Sequence, residues 1–567
     1  MTRRRFLALA LLIFAAGTML RTLWLRADPP TTSVGIVWHD EGAWVHNARN
    51  RALWGEWRTD QWNPVFVAPV FTALEYGAFS LFGVGTWQAR TVPVASGLAV
   101  IVLVMAGLHA LGGRRVALIG GTLVATNYIF VMWNRAALME STMTAFIVAS
   151  WASYALAARR PVWGLAAGLA AVLAWFTKAA AAFFVAALVL DALVTLITTR
   201  RATIDVHRER RGAWLTLLGL AVGGAVIAVS FVLPNWSEYY AYNVQMAITR
   251  KPSYALKDLL DRASWLPVVQ DFFTRMWLVV VGAAFGIVAV VARWRSARPA
   301  ERLLVLWMLV GLLELTIHDS GNERRYVMFI PALIALSAWL VGSDRPWLPA
   351  ALANAPPRTR WLALPLTAFL GYLVFGSVVR LAFLDDVRVG SLWLTVRLSA
   401  LLALVAGIVL IWKWSSAVGR LSRRQIPAWS LAALIAMSVG WNLYQFGQWA
   451  RQRDELNYRA SVEVGRILPS GTLVHGKLAN GLALENHIRP VFVGREFGNY
   501  ADRLTRDDVR YILTYVLPDV GYESQKGLIQ EILDRYPNRR IVRTFDVDET
   551  TAVDRAELID KLPHARD

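Results

Sequence analysis

Residues 37–49, "VWHDEGAWVHNAR", set two adjacent carboxylates, Asp40 and Glu41, between two histidines, His39 and His46. Neighbouring residues on a helix point about 100° apart, so the two carboxylates cannot do the same job. One can accept a proton from an incoming hydroxyl while the other fixes a substrate. A structural reading is equally open on spacing alone: Asp40 caps a helix and Glu41 favours its first turn, stabilising by about 1 kcal/mol. Further along lie Arg135, Lys178, Arg324 and Arg325. Each alone fits a long side chain snorkelling at a membrane rim. Together they suit a phosphate, with bidentate contacts from arginine and a point charge from lysine. A phosphate leaving group needs such neutralisation as the bond to it breaks. His39, His318 and Asp319 are candidate metal ligands without a strong ligand spacing. A divalent metal is neither required nor excluded by this pattern, and no other cofactor is called for. There is no cysteine, which removes disulfides and thiol chemistry.

The elements that must position these groups are membrane spans. The chain of 567 residues is 56% hydrophobic and only 17% charged, with 26 tryptophans. Ordinary soluble domains carry about 25% charge. Apolar runs of the roughly 20 residues needed to cross a bilayer recur along the chain. The formal charge of +19 comes from arginine clusters between those runs, at Arg114–Arg115, Arg159–Arg160, "TTRRATIDVHRERRG" (198–212), "RWRSARPAER" (293–302), "APPRTR" (355–360) and "GRLSRRQ" (419–425). Such clusters mark cytoplasmic loops rather than a nucleic-acid surface. All are cytoplasmic if a retained first helix is followed by spans near 88–110, 116–133, 137–158, 162–177, 179–198, 213–233, 277–292, 303–317, 327–342, 361–383, 391–412 and 428–446. The expectation is a polytopic α-helical membrane protein of about thirteen spans, multi-pass in the plasma membrane.

One segment resists that count. "NPVFVAPVFTALEYGAFSLFG" (63–83) is apolar enough to span, yet counting it would invert every later basic loop. Its prolines and Glu75 suit an amphipathic helix in the outer interface, with residues 41–54 a second one. The expected organisation is a transmembrane domain over 1–446, with a first outer loop at 26–87 and a long outer loop at 234–276. A soluble α/β domain follows over 447–567, on the outer side by span parity. Within it "GTLVHG", "RPVFVG" and "VRYILTYV" read as strands, and 456–467 and 524–535 as helices. This topology brings Trp38–Glu41, Asn134–Arg135 with Glu140, Thr177–Lys178, Arg250–Lys251 and "HDSGNERRY" (318–326) to one membrane face. Ionisable groups at such depths usually face a protein-lined cavity. Asp191 and Glu314, inside spans, read as internal structural contacts.

At these residues the chain resembles the GT-C glycosyltransferases, in the branch of protein O-mannosyltransferases and the aminoarabinose transferase of lipid A. "HDEGAWVHNAR" resembles the family's first-loop D-E motif, and "FGVGTWQARTVPVASGLAVIVLV" the span that follows it. "WNRAALMESTMTAF", "GLAAGLAAVLAWFTKAAAAFF" and "RRYVMFIPALIALSAW" resemble later family motifs in the same order. The resemblance covers most of residues 1–340; beyond 345 it is one of layout. It implies an inverting transfer of sugar from a polyprenyl-phosphate carrier to an acceptor lipid, polysaccharide or protein on the extracytoplasmic face. It makes Asp40 the general base and Glu41 a substrate contact. Arg135, Lys178, Arg324, Arg325 and Tyr326 become candidates for the donor's phosphate and sugar. His39, Asn63, Glu140, Arg250 and Lys251 are further substrate-binding candidates. In three places the chain departs from the pattern: Asn63 and one proline stand where some relatives have lysine and a proline pair, Glu140 replaces an aspartate, and "TK" is followed by alanines.

Two other classes compete. A transporter would place its ionisable residues near the midplane on broken helices in repeated halves; here they gather at one edge and no repeat is evident. A non-catalytic scaffold of the same fold has no need of Asp40.

Overall fold

The computed structural model describes residues 1–31, 34–57, 65–197, 204–245, 269–318, 323–382, 392–423, 426–493, 500–516, 528–548 and 555–562. Its first nine helices are α1 (Arg3–Thr22), α2 (His39–Trp54), α3 (Pro69–Phe82), α4 (Thr86–Thr126), α5 (Tyr128–Trp133), α6 (Met139–Ala157), α7 (Trp163–Thr177), α8 (Ala182–Ile197) and α9 (Ile204–Ile227). Each of the thirteen expected spans falls on a helix. Among the described residues, seven helices are individually long and apolar enough to cross a membrane, or eight if the bent pair Val396–Trp412 and Trp414–Ser422 is one span. Two of the differences have a local cause. Gly113, at a φ of +82° that favours glycine, folds the 41-residue α4 into two legs, and α7 has only 15 residues. The chain is a multi-pass membrane protein.

Contacts sort the two ends of the bundle. Arg114 donates to the Met1 carbonyl at 2.7 Å, Arg159 to those of His109 and Ala110, and Arg298 to those of Ala110 and Leu111. Three of the basic clusters therefore meet at one end, the arrangement expected of loops on a common side. About one turn in from those loops Asp191 accepts from Arg302 at 2.8 Å and from Tyr154 at 2.9 Å. This is the internal pairing that a buried carboxylate requires.

After the long helix Ala428–Gln452 comes a small α/β domain. Helix Leu456–Ile467 has the expected bounds, and Leu528–Asp534 lies inside the expected 524–535. The sheet has strands β1 (Leu473–His475), β2 (Arg489–Val491), β3 (Tyr511–Tyr515), β4 (Arg540–Asp546) and β5 (Arg555–Asp560), in the order β2-β1-β3-β5-β4. β1 runs parallel to β2 and β3, while β5 is antiparallel to β3 and β4. The first three match the expected strands. β4 and β5 carry charge along their length and were missed by an apolar-run reading.

The two domains are bolted together through α2. Ten of the sixteen residues of α2 are buried, more than an amphipathic helix covered on one face alone would show. Trp38 sits in the core of the α/β domain, among Val474, Leu478, Leu482 and Leu513. Arg49 donates to the carbonyls of Ala483, Asn486 and Ile488 at 2.7–3.0 Å. Gly42 has no room for a side chain: a Cβ there would lie 1.8 Å from the Asn480 carbonyl oxygen. α3 keeps the interfacial character, burying Phe71, Glu75 and Phe79 while Leu74, Leu81 and Phe82 face outward.

Asp28 adds a second bolt. Its backbone N–H donates to the Asp454 carbonyl at 3.0 Å, and its carboxyl accepts from the Asn457 N–H at 3.2 Å. Burial, with a hydrogen bond to Asp454, pushes the Asp28 carboxyl up to about 8. A raised carboxyl takes up a proton on folding, so its contribution is fully present below about pH 4 and is lost as pH rises through 8. Asp28→Asn keeps both hydrogen bonds without needing the proton. The variant should melt about 2 °C or more above the parent at pH 8.5, with a smaller gap at pH 5, in paired thermal scans.

Candidate functional site

Four separate elements bring four of the expected residues into one chain of charges. Asp40 stands in the first turn of α2 and Glu140 in the first turn of α6, where helix N-termini favour carboxylates. Lys178 occupies the extended break after α7, and Arg324 lies in the 3₁₀ turn Glu323–Phe329. The Arg324 guanidinium donates from Nη1 to Asp40 Oδ2 and from Nε to Glu140 Oε1, each at 2.8 Å. Lys178 Nζ bonds the same Glu140 oxygen. The side chains of Asp40, Lys178 and Arg324 are 14%, 16% and 18% exposed, whereas Glu140 is sealed at 1%. Glu140 is thus a buried counter-ion that aims two cations, and the accessible ends of the array belong to one carboxylate and two cations. Burial pulls the Lys178 ammonium below its ordinary value, with Glu140 opposing and Arg324 and Arg325 adding to the effect.

Glu41 points elsewhere. Arg90, from α4, grips it with both forks, Nε to Oε1 at 2.8 Å and Nη2 to Oε2 at 2.6 Å. The Ala137 N–H donates to Oε1 as well, at 2.7 Å. Arg90 also donates to the carbonyls of Leu25 and Ala27 at 2.7 Å. Both Glu41 oxygens are engaged by protein, and these bonds fix α2 against α4 and the turn before α6. Arg90 was not anticipated, although an arginine inside an apolar run is itself a signal.

Arg135 is also held by protein groups. It donates to the carbonyls of Leu20, Arg21 and Trp24 at 2.8–3.1 Å and stacks over Trp449 at 4.6 Å. That is a clamp on the end of α1. Its neighbour Asn134 is held by Arg21 and holds Ser141, each at 2.9 Å. Tyr326 is buried in an aromatic cluster with Phe272, Phe273 and Phe329.

His39 Nδ1 lies 3.0 Å from the Tyr515 hydroxyl of β3, and its Nε2 lies 3.9 Å from Asp40 Oδ1. Asn63, Arg250, Lys251 and Asp319, and the side chain of His318, lie outside the described residues. His46 turns back on its own helix, its Nδ1 2.8 Å from the Ala43 carbonyl. Among the described residues, a three-carboxylate group not expected from sequence, Asp28, Asp454 and Asp548, lies where the domains meet.

The bundle, the first-loop acid and the trailing α/β domain together make a GT-C-type membrane fold. Residues 66–234 match the family model described as dolichyl-phosphate-mannose-protein mannosyltransferase. The chain is similar along its whole length to ArnT from Cupriavidus metallidurans. Against the form bound to undecaprenyl phosphate, identity is 18% and the TM-score 0.55, over 99% of this chain and 98% of that one. Against the apo form, identity is 18% and the TM-score 0.56, over 98% and 97%. An oligosaccharyltransferase from Archaeoglobus fulgidus is more distant, with 11% identity and a TM-score of 0.45 over 92% of this chain and 70% of that one. No curated protein sequence matches.

Proposed function

We propose that the chain is a membrane glycosyltransferase that moves a sugar from a polyprenyl-phosphate carrier to an acceptor on the extracytoplasmic face, with inversion and with Asp40 as general base. The observation that carries this reading is the Asp40–Arg324–Glu140–Lys178 array at the end of the bundle away from the basic loops. The fold it shares with ArnT, a protein whose structure was solved with undecaprenyl phosphate, supports a lipid-phosphate donor.

Arg324 does two things in this scheme. In the free protein it holds Asp40 Oδ2. A donor phosphate offers it a stronger bidentate partner, since charge-assisted pairs with phosphate are among the strongest hydrogen bonds. Transfer of Arg324 to the phosphate releases Asp40 toward the acceptor. The acceptor oxygen then bonds to the anomeric carbon as the carbon–phosphate oxygen bond breaks. Its proton goes to Asp40, and the electron pair leaves on the phosphate, where Arg324 and Lys178 neutralise it. One displacement with one base inverts the anomeric centre. The acceptor is a lipid, a polysaccharide or a protein.

The test has two parts. Purified full-length protein in liposomes, offered a panel of undecaprenyl-phosphate hexoses and pentoses with envelope extract as acceptor, should release undecaprenyl phosphate from at least one. Arg324→Gln should weaken undecaprenyl phosphate binding at least ~10-fold while the protein stays folded, since hydrogen bonds to charged groups contribute about 1.5–3 kcal/mol. Release from no donor, or unchanged binding by Arg324→Gln, would overturn the reading.

A further inference from the structure

The last membrane helices carry a basic surface at one end of the bundle, and the proposed reaction makes no use of it. Span Val396–Trp412 turns by 80° into helix Trp414–Ser422. A segment set nearly at right angles to its span runs along the membrane surface rather than through it. Trp414 and Val418, one turn apart, bury their side chains with Leu348 and Ile411, and Trp414 Nε1 donates to the Leu352 carbonyl at 2.6 Å. With that apolar stripe turned to protein, Ser415, Ser416 and Arg420 face out. The Trp347 N–H donates to the Leu421 carbonyl at 3.3 Å, and two residues earlier Arg345 bonds Glu301 at 3.0 Å. Glu301 also accepts from the Arg298 N–H, so the surface stands at the end of the bundle where the basic loops meet.

The charge there is one-sided. Arg358, Lys413, Arg420 and Arg423 are exposed and Arg360 is half-buried; among the described residues none of the five pairs with an acid. Arg360 donates to the Ala355 carbonyl at 2.6 Å and Arg420 to the Ser416 hydroxyl at 3.4 Å, contacts that leave their charge uncompensated. Between Arg345 and Asp454 the sequence has two acids, Asp385 and Asp386, both between Ala382 and Leu392 in the chain. Beside the cations in sequence stand Trp361, Leu362 and Trp412, with Trp429 a few residues on, all exposed. Tryptophan suits the headgroup level, where its apolar ring and its N–H each find their own surroundings.

We propose that this surface binds anionic phospholipid: its cations take headgroup phosphates while helix Trp414–Ser422 lies at headgroup depth. Loop arginines alone orient a chain in the bilayer. Here they are joined by a helix in the membrane plane, a set of exposed indoles and an absence of neighbouring acids. An acidic protein segment would meet the same charges but would leave the tryptophans without a partner.

The chain has no cysteine, so Ser415→Cys gives one labelling site beside the surface. Full-length protein with a fluorescent donor there, in phosphatidylcholine bilayers with a trace of acyl-labelled acceptor lipid, reports which headgroup gathers at the helix. At about 0.1 M salt, phosphatidylglycerol should be enriched at least about fivefold over phosphatidylcholine. The preference should fall toward unity at about 1 M salt, where screening acts within about 3 Å. Lys413→Gln, Arg420→Gln and Arg423→Gln together should bring it to within about twofold of unity. Arg3→Gln with Arg4→Gln removes two exposed charges at the same end of the bundle and should leave it unchanged. Thermal melting in phosphatidylcholine alone checks that each variant is folded. No preference in the parent, a preference that survives in the triple variant or at high salt, or one that the Arg3 and Arg4 changes remove equally, would overturn the proposal. None of these readings involves sugar transfer, so their failure leaves the role of Asp40 untouched.

Discussion

Asp40→Asn should abolish sugar transfer, lowering turnover by roughly 10²–10⁴, and leave both the fold and undecaprenyl phosphate binding in place. The loss follows from chemistry: an amide cannot take the acceptor's proton. The retained fold follows from geometry. The asparagine oxygen can still accept from Arg324 Nη1, which in the parent bonds Asp40 Oδ2 at 2.8 Å. Glu140 keeps its pairs with Arg324 and Lys178 whatever stands at position 40. Neutralising Asp40 also removes a competitor for Arg324, so the lipid phosphate should bind at least as tightly as in the parent. Matched measurements of phosphate release, ligand binding and thermal stability check all three statements. Turnover within tenfold of the parent would move the base elsewhere. Weakened binding with the fold intact would mean that Asp40 helps hold the donor.

The contrast with its neighbour is informative about what a sequence can reveal. The carboxylate pair, the cations and their common membrane edge were legible because hydropathy and loop charge are local quantities that fix which end of a helix a residue occupies. Asp40, Glu140, Lys178 and Arg324 needed nothing more: each stands at or beside a helix end, and the ends on one face of a bundle converge. Their partners were not legible. The sequence separates Asp40 from Glu41 by the 100° between neighbouring helix positions, but does not show what either one, or Arg135, bonds to. Arg90, 49 positions along the chain, occupies Glu41, and carbonyls more than 100 positions away occupy Arg135. Long-range pairing of that kind leaves no periodic trace.

The same limit hid the role of the C-terminal domain. Its helix at 456–467 and three strands follow from composition, yet composition makes it an appendage. In the fold its carbonyls receive Arg49, its core receives Trp38, and its sheet ends on His39. The two strands missed by the apolar-run reading explain part of this. β5 pairs with β3 along Tyr511–Tyr515, so the strand that carries Tyr515 to α2 is set by a neighbouring strand that hydropathy does not mark.

Glu41 then provides the largest expected effect on stability. Its side chain and that of Arg90 are both about 95% buried, and their bidentate bond is joined by the Ala137 N–H. Removing one partner of a buried pair leaves an uncompensated charge, at a cost of about 3–5 kcal/mol. Glu41→Ala should therefore be recovered poorly from membranes and melt well below the parent. Glu41→Gln keeps one oxygen for Arg90 or Ala137 and should lose far less. A role in catalysis would give the opposite ordering: Glu41→Gln would be stable and dead, because the amide preserves the fold and not the charge. The double variant Glu41→Leu with Arg90→Met removes both charges together, and well-packed apolar replacements of buried pairs are often neutral or stabilising. Its thermal stability should exceed that of Glu41→Ala, with turnover limited by how well the apolar pair holds Asp40 in register. If Glu41→Gln folds like the parent and transfers no sugar, the carboxylate acts on substrate and the division between the two acids drawn from their partners is wrong.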